Sequence, residues 1–278
     1  MKQEDSLLAS VLKMSRHFSG NCKNVEFIYN FGAPGFSVLL DQYPIKEIAG
    51  NGSELEKVLN LLCWCSANVL HNGGIKDVDF IPKTSLDILN YAYKRGKKFG
   101  VYCRLQSIVF TECCMALGIK SRILHCLPFN PYDFDSHVVS MVYIRELNKW
   151  ILIDAGNNRY FMDEEGIILS PLEIREKLGN NDLIRCNIED EAYKQYMTKN
   201  LFYFKSLKNN TFGSDLQKIQ ETIYCAPDGF NALEREITCC KYAIQNGPRN
   251  SVYGWKRNLR EHEKCPRFVN ASAIDFFA

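Results

Sequence analysis

CRLQSIVFTECCMALG, residues 103–118, reads as a single helix. Leu105, Ile108, Val109, Cys113, Ala116 and Leu117 recur at helical spacing on one side, Arg104, Ser107, Thr111 and Cys114 fall on the other, and Gly118 ends the run. The helix opens on Cys103. A thiol in a first turn lies in the positive field of the unpaired N–H groups there, which favours thiolate over thiol and makes it a nucleophile.

A nucleophilic thiolate needs a base to carry its proton and a partner that fixes the base's tautomer. Downstream of the helix, Ser121 to Leu127 reads as a strand, and the prolines of the loop 128–136 forbid regular structure there. His137 to Ile144 and Trp150 to Asp154 are rich in β-branched and aromatic residues and read as a hairpin. With the turn centred between Glu146 and Leu147, residues facing each other sum to 293, which sets Asp154 across from Val139 and on the same face as His137. His137 is thereby the candidate base and Asp154 the candidate orienting group.

Upstream, Ser53 and Glu56 form a capping box for a helix whose apolar positions run from Leu55 to Val69 and stop at Gly73-Gly74. Thr84 and Ser85 cap a shorter helix ending near Gly96. Residues 24–49 carry Asn30, Gly32, Pro34 and Gly35 and read as short strands or an irregular lead-in. Beyond Asp154, helices are expected over Pro171 to Leu178 and Asp190 to Met197, and strands over Leu201 to Lys205, Thr222 to Cys225 and Arg235 to Tyr242.

Composition bounds the function. With 46% hydrophobic and 24% charged residues, the 278-residue chain is globular and not disordered. Its 34 Lys and Arg against 32 Asp and Glu leave no basic surplus, so nucleic acid is not an expected partner. No apolar run approaches the roughly 20 residues that span a bilayer, and the start lacks a basic and apolar leader, so no membrane partner and a cytoplasmic location are expected. Twelve cysteines then read as reduced and mostly buried thiols. The nearest approach to metal-ligand spacing, Cys63-Trp64-Cys65, has no second pair to match it, and no metal site is expected.

The order Cys103, His137, Asp154, the run Leu117-Gly118-Ile119-Lys120-Ser121-Arg122 and the strand Trp150-Ile151-Leu152-Ile153-Asp154 resemble the transglutaminase-like superfamily over about residues 53–160. That resemblance implies an α+β fold with a papain-like core, its nucleophile at a helix N-terminus packed on an antiparallel sheet, in a superfamily that includes transglutaminases, microbial peptidases and peptide N-glycanases. It implies Cys103 as nucleophile, His137 as base and Asp154 as orienting group. Lys120-Ser121 stands where the family often has Pro-Ala, Val139 where it often has an aromatic residue, and Ala155 where it often has Pro. These departures leave the triad positions intact, and the chain is more similar to microbial members than to animal transglutaminases.

The implied organisation is a lead-in over 1–52, a catalytic core over 53–160 and an extension over 161–278 packed on the core. Trp64 and His71 precede the nucleophile where related enzymes carry an aromatic group near the oxyanion, although Trp64 also suits simple core packing. His125, in an apolar strand run, reads as a core or surface residue. The expected activity is cysteine-dependent acyl transfer without a cofactor, hydrolysing a peptide, isopeptide or other amide bond of a peptide, protein or other amide substrate through a thioester. The alternative is a binding or scaffold module that keeps the fold without turnover.

Overall fold

The computed structural model describes residues 3–22, 24–72, 82–95, 99–216, 221–264 and 268–278. In chain order its elements are α1 (Gln3–Met14), β1 (Ile28–Asn30), α2 (Pro34–Gln42), α3 (Ile45–Ala49), α4 (Glu54–Asn68), α5 (Ser85–Tyr91) and α6 (Cys103–Ala116). Then come β2 (Ser121–Leu127), β3 (His137–Ile144), β4 (Lys149–Ile153), β5 (Phe161–Met162), α7 (Pro171–Asn180), β6 (Arg185–Cys186) and α8 (Glu191–Asn200). The chain closes with β7 (Tyr203–Leu207), β8 (Asn209–Thr211), β9 (Thr222–Cys225), α9 (Ala232–Asn246), α10 (Val252–Lys264), β10 (Val269–Asn270) and α11 (Ala273–Phe276).

A six-stranded sheet in the order β10-β9-β7-β2-β3-β4 organises this α+β fold; its pairs are antiparallel except β10 with β9. Strands from before and after residue 160 therefore share one hydrogen-bonded sheet. The register of the β3–β4 hairpin is the one the turn dictates, Ser140 facing Ile153 and Ile144 facing Lys149, so paired numbers sum to 293. A 3-10 turn over Arg145–Leu147 and Asn148 at φ 49 close it, a left-handed position that asparagine tolerates. Glu54 accepts hydrogen bonds from the Arg145 backbone N–H (2.8 Å) and guanidinium (3.0 Å), which clips the hairpin tip to the start of α4.

Both faces of the sheet are covered. Ile123, Val138, Val142, Ile151 and Ile153 pack against α2 to α6. Leu124, Cys126, Val139, Met141 and Leu152 pack on the opposite side with residues of α1, α7, α8 and α11. Burial on two sides explains why β3 reads as a nearly continuous apolar run and not as an alternating one.

Capping explains the helix starts. Ser53 with Glu56 and Thr84 with Asp87 form complete capping boxes at α4 and α5. The Gly73-Gly74 and Gly96 stops lie outside the described residues, while α4 ends earlier, at Asn68. In the lead-in 24–49 one short strand is present, β1, but α2 and α3 take up most of 34–49, in correction of the strands or irregular chain expected there. Pro34 stands at the first helical position, where a missing N–H costs nothing, and is not a turn residue. Arg235 to Tyr242 is likewise not a strand but the middle of α9, capped by Asn231. Its buried residues Ala232, Arg235, Glu236, Cys239, Cys240 and Ala243 form a helical stripe that two charged members hide from an apolar count. Ser107, Thr111 and Cys114, expected on a polar face of α6, are buried, because the helix is enclosed all round.

Candidate active site

Cys103 is the first residue of α6, and no side chain caps that end of the helix. The polar side chains of α6 tie it to β3. The Ser107 hydroxyl lies 3.0 Å from both the Cys103 and Val138 carbonyls, and Thr111 donates to the Ser140 hydroxyl at 3.0 Å. Gln106 donates to the Val69 carbonyl at 2.6 Å, fixing the same turn to the chain that follows α4. The thiol is thus held at the end of the sheet where β3 begins, beside His137.

His137 and Asp154 meet across the hairpin. His137 Nε2 lies 2.5 Å from Asp154 Oδ2, both side chains buried, which leaves Nδ1 as the ring nitrogen for the hydrogen bond that His137 makes with Cys103. Asp154 Oδ2 also accepts from the Tyr193 hydroxyl (2.8 Å) and Asn157 Nδ2 (2.8 Å), and Oδ1 accepts from the Gly156 (3.0 Å) and Asn157 (3.1 Å) backbone N–H groups. A buried carboxylate with this many donors stays ionised.

Electrostatics follow from that wiring. Burial alone would raise the Cys103 pKa, but hydrogen bonds from His137 and His71, the His137 charge and the Val138 backbone N–H outweigh it and bring it down to about 6. Burial would lower His137, yet the Asp154 charge and hydrogen bond and the bond to Cys103 raise it to about 10. Asp154 resists burial in the same way and is held below the usual carboxylate range by His137, Asn157 and Tyr193. Near neutral pH the arrangement is a thiolate beside an imidazolium whose far nitrogen rests on a carboxylate.

Two aromatic residues of α8 complete the site from outside the region that sequence reading singled out. Tyr193 bonds Asp154 and stacks on Phe161, with ring centroids 5.5 Å apart. Tyr196 sits edge-on to His137 at 5.2 Å, and burial together with Asp135 pushes its hydroxyl far above the usual range, so it stays neutral. Tyr193 and Tyr196 are three apart on one helix face, a spacing visible in the sequence but ambiguous until α8 is seen to cover the site. The loop before His137 is held by Lys199, which pairs with Asp133 (3.0 Å) and Asp135 (2.9 Å), and by Arg235, which donates to the Asn130 and Asp133 carbonyls.

Trp64 packs on Tyr93 at 5.6 Å, in the helical-side cluster that also takes in Cys103, and His71 from the same part of the chain hydrogen-bonds the sulfur. His125 pairs across β2 with Val138 and Lys205, and burial beside Arg104 and Lys205 keeps it neutral. Burial pushes Cys114 and Cys126 well above the ordinary thiol range, and a hydrogen bond with Cys65, together with burial, does the same for Cys113. All the described cysteines are free, and among the described residues no group of three or more His, Cys, Asp or Glu side chains is arranged to hold a metal ion. Among the described residues no helix is long and apolar enough to cross a membrane.

Comparison with known proteins adds the family. Residues 45–155 match the family model of the transglutaminase-like superfamily, a segment that holds Cys103, His137 and Asp154. No curated protein matches the chain. Among solved structures, the chain is similar to a candidate cysteine protease from Cytophaga hutchinsonii at 19% identity and a TM-score of 0.34. That match covers 55% of this chain and 49% of the other, so it spans about half the length of the solved relative. On the family match and the α+β fold that frames it, residues 45–155 are a core of the transglutaminase-like superfamily.

Proposed function

We propose that the protein is a cysteine-dependent acyl-transfer enzyme in which Cys103 attacks an amide carbonyl. The observation that carries this reading is the Cys103 thiol at an uncapped helix start, bonded to an imidazole whose other nitrogen lies 2.5 Å from a buried carboxylate.

The steps balance on the groups present. The Cys103 thiolate forms a bond to the carbonyl carbon, and the carbonyl π electrons move to oxygen, where N–H groups at the start of α6 stabilise the oxyanion. As the C–N bond breaks, its electrons leave with nitrogen and His137 Nδ1 gives that nitrogen its proton. A thioester and a neutral imidazole remain. Water, losing its proton to His137, then attacks the thioester and expels the thiolate, which yields a carboxylic acid; an amine in place of water yields a new amide. Asp154 keeps the imidazole in the useful tautomer throughout and balances its charge. We assign the protein to hydrolysis of a peptide, isopeptide or other amide bond, and treat transamidation as the same chemistry with a different acceptor.

The test is site-resolved alkylation by iodoacetamide at pH 7, followed peptide by peptide. Cys103 should react at least about tenfold faster than the exposed Cys63, since a thiol with a pKa near 6 is mostly ionised at that pH. Equal rates would remove the nucleophile and leave a binding module built on the same fold.

A further inference from the structure

The sulfur of Cys103 is hydrogen-bonded by two imidazoles, and only one belongs to the hairpin. The other, His71, is carried by the segment that follows α4, and its place is fixed by backbone. Val101 N–H donates to the Leu70 carbonyl at 2.8 Å, and Asn72 N–H donates to the Val101 carbonyl at 3.0 Å, a parallel bridge that pairs His71 with Val101 two residues before the nucleophile. The approach is close enough that a Cβ on Gly100 would lie 2.5 Å from the Asn72 Cβ and 2.9 Å from the Leu70 carbonyl oxygen. With Gln106 gripping the Val69 carbonyl, residues 69–72 are tied to 101–106 at three points. This pairing holds the exposed His71 beside Val101, in the stretch that leads into Cys103.

We propose that His71 is a second catalytic imidazole, which holds the ionised Cys103 sulfur independently of His137 and Asp154, so that keeping the thiolate and moving the proton fall to different histidines. The inference rests on Cys103 being the nucleophile. When the thiol ionises its proton goes to His137, and His71 contributes a hydrogen bond without taking that proton. His137 must turn its Nδ1–H toward the leaving nitrogen and cannot serve the sulfur as well. His71 has no such second duty, and it meets the charge again when the thiolate is expelled from the thioester. The titratable groups that His71 feels are Cys103, His137 and Asp154, and its bond to the sulfur raises its own pKa.

The decisive measurement is the pH dependence of Cys103 alkylation in the full chain, for wild type, His71→Ala, His71→Gln, His137→Ala and the double His71→Ala/His137→Ala variant, with thermal midpoints as a check on folding. His71→Ala should move the midpoint up by about one unit, a loss of about threefold in rate at pH 6.5. His71→Gln, which keeps a neutral donor, should move it less, and it stands in if the alanine variant is poorly folded. His137→Ala alone should keep a midpoint below the ~8.5 of a free thiol, whereas the double variant should reach or pass it. An unmoved midpoint in His71→Ala, or a His137→Ala midpoint equal to that of the double variant, overturns the role of His71. A wild-type Cys103 that reacts no faster than Cys63 overturns instead the nucleophile assignment on which it rests.

Discussion

The two faces of the central sheet are built from different materials. On the side of α4, α5 and α6 the core is aliphatic, with Val58, Leu61, Leu62, Ile88, Leu105, Ile108 and Val109 packed on Ile123, Val142, Ile151 and Ile153. The other side is aromatic, with Phe18, Phe27, Phe161, Phe202, Phe204 and Phe276, and it buries guanidinium groups where the α4–α6 side buries the carboxylates of Glu54 and Glu112. Arg122 lies 3.6 Å above the Phe27 ring centre and 4.5 Å from that of Trp150, and donates to Tyr29 and to the Phe276 carbonyl. Arg175 lies 4.7 Å from the Phe18 ring centre and donates to the Leu12 and Ser15 carbonyls. An aliphatic core fixes position by shape, whereas rings and guanidinium groups fix orientation by direction. The candidate site divides along the same line. The aliphatic side anchors the thiol through α6, and the aromatic side holds the imidazole and carboxylate through Tyr193 and Tyr196.

Breaking the first half of that division has the largest consequence. Cys103→Ala should lower kcat by about 10³ or more on any amide or ester that the wild type cleaves, with little change in thermal midpoint, since only one sulfur is removed from a helix start. Retained turnover would end the mechanism.

Asp154→Asn tests the orienting half. The amide cannot balance the imidazolium, and a kcat loss of about 10 to 10³ is expected. That is below the loss of about 10⁴ that the same change brings to a serine nucleophile, because the thiol here is already ionised. The pH profile gives the sign. Turnover in the wild type should rise through about 6 as Cys103 ionises and fall through about 10 as His137 loses its proton. Without the carboxylate His137 releases its proton at lower pH, and the weaker cation lets the Cys103 value rise, so the active window should narrow from both sides. An unchanged window would show that Asp154 does not set either charge.

Tyr193→Phe removes one of the donors to Asp154 and should cost a few-fold in kcat and about 1.5 to 3 kcal/mol in stability, the range for a hydrogen bond to a charged group. Both are readable from kinetics and urea unfolding. The smallest effect is expected from Ser107→Ala on the aliphatic side, about 1 kcal/mol of stability with turnover within about twofold, because shape still holds α6 in place. A larger kinetic loss there than in Tyr193→Phe would reverse the assignment of position to one face and orientation to the other.

Local rules made the hairpin and the nucleophile's helix legible in advance. The side-chain period of two and a known turn centre are enough to put His137 and Asp154 on one face, and a capping box marks a helix start without tertiary information. What escaped depends on contacts distant in sequence. Tyr193 acts on a carboxylate 39 residues away, and nothing in the run around it distinguishes that duty from core packing. His71 is marked in the sequence only by its place ahead of the nucleophile, since the two-bond backbone bridge that sets it beside Val101 leaves no pattern in side-chain types. Pro34 and the charged members of the α9 stripe mislead for a related reason, since each residue type supports one structure in isolation and another in its place.

The sheet order bears on what can be cut from this chain. β2 lies between β3 and β7, and its pairing with β7 runs through His125, Cys126 and Leu127. A fragment ending near residue 160 would keep Cys103, His137 and Asp154 but turn β2 into an open edge, with Ile123, Leu124, Cys126 and Leu127 along a strand whose outer backbone groups have lost their partners. Such an edge templates pairing with other chains. β7 then acts as a stopper against polymerisation, and the shorter fragment should appear as aggregate in light scattering where the full chain stays dispersed.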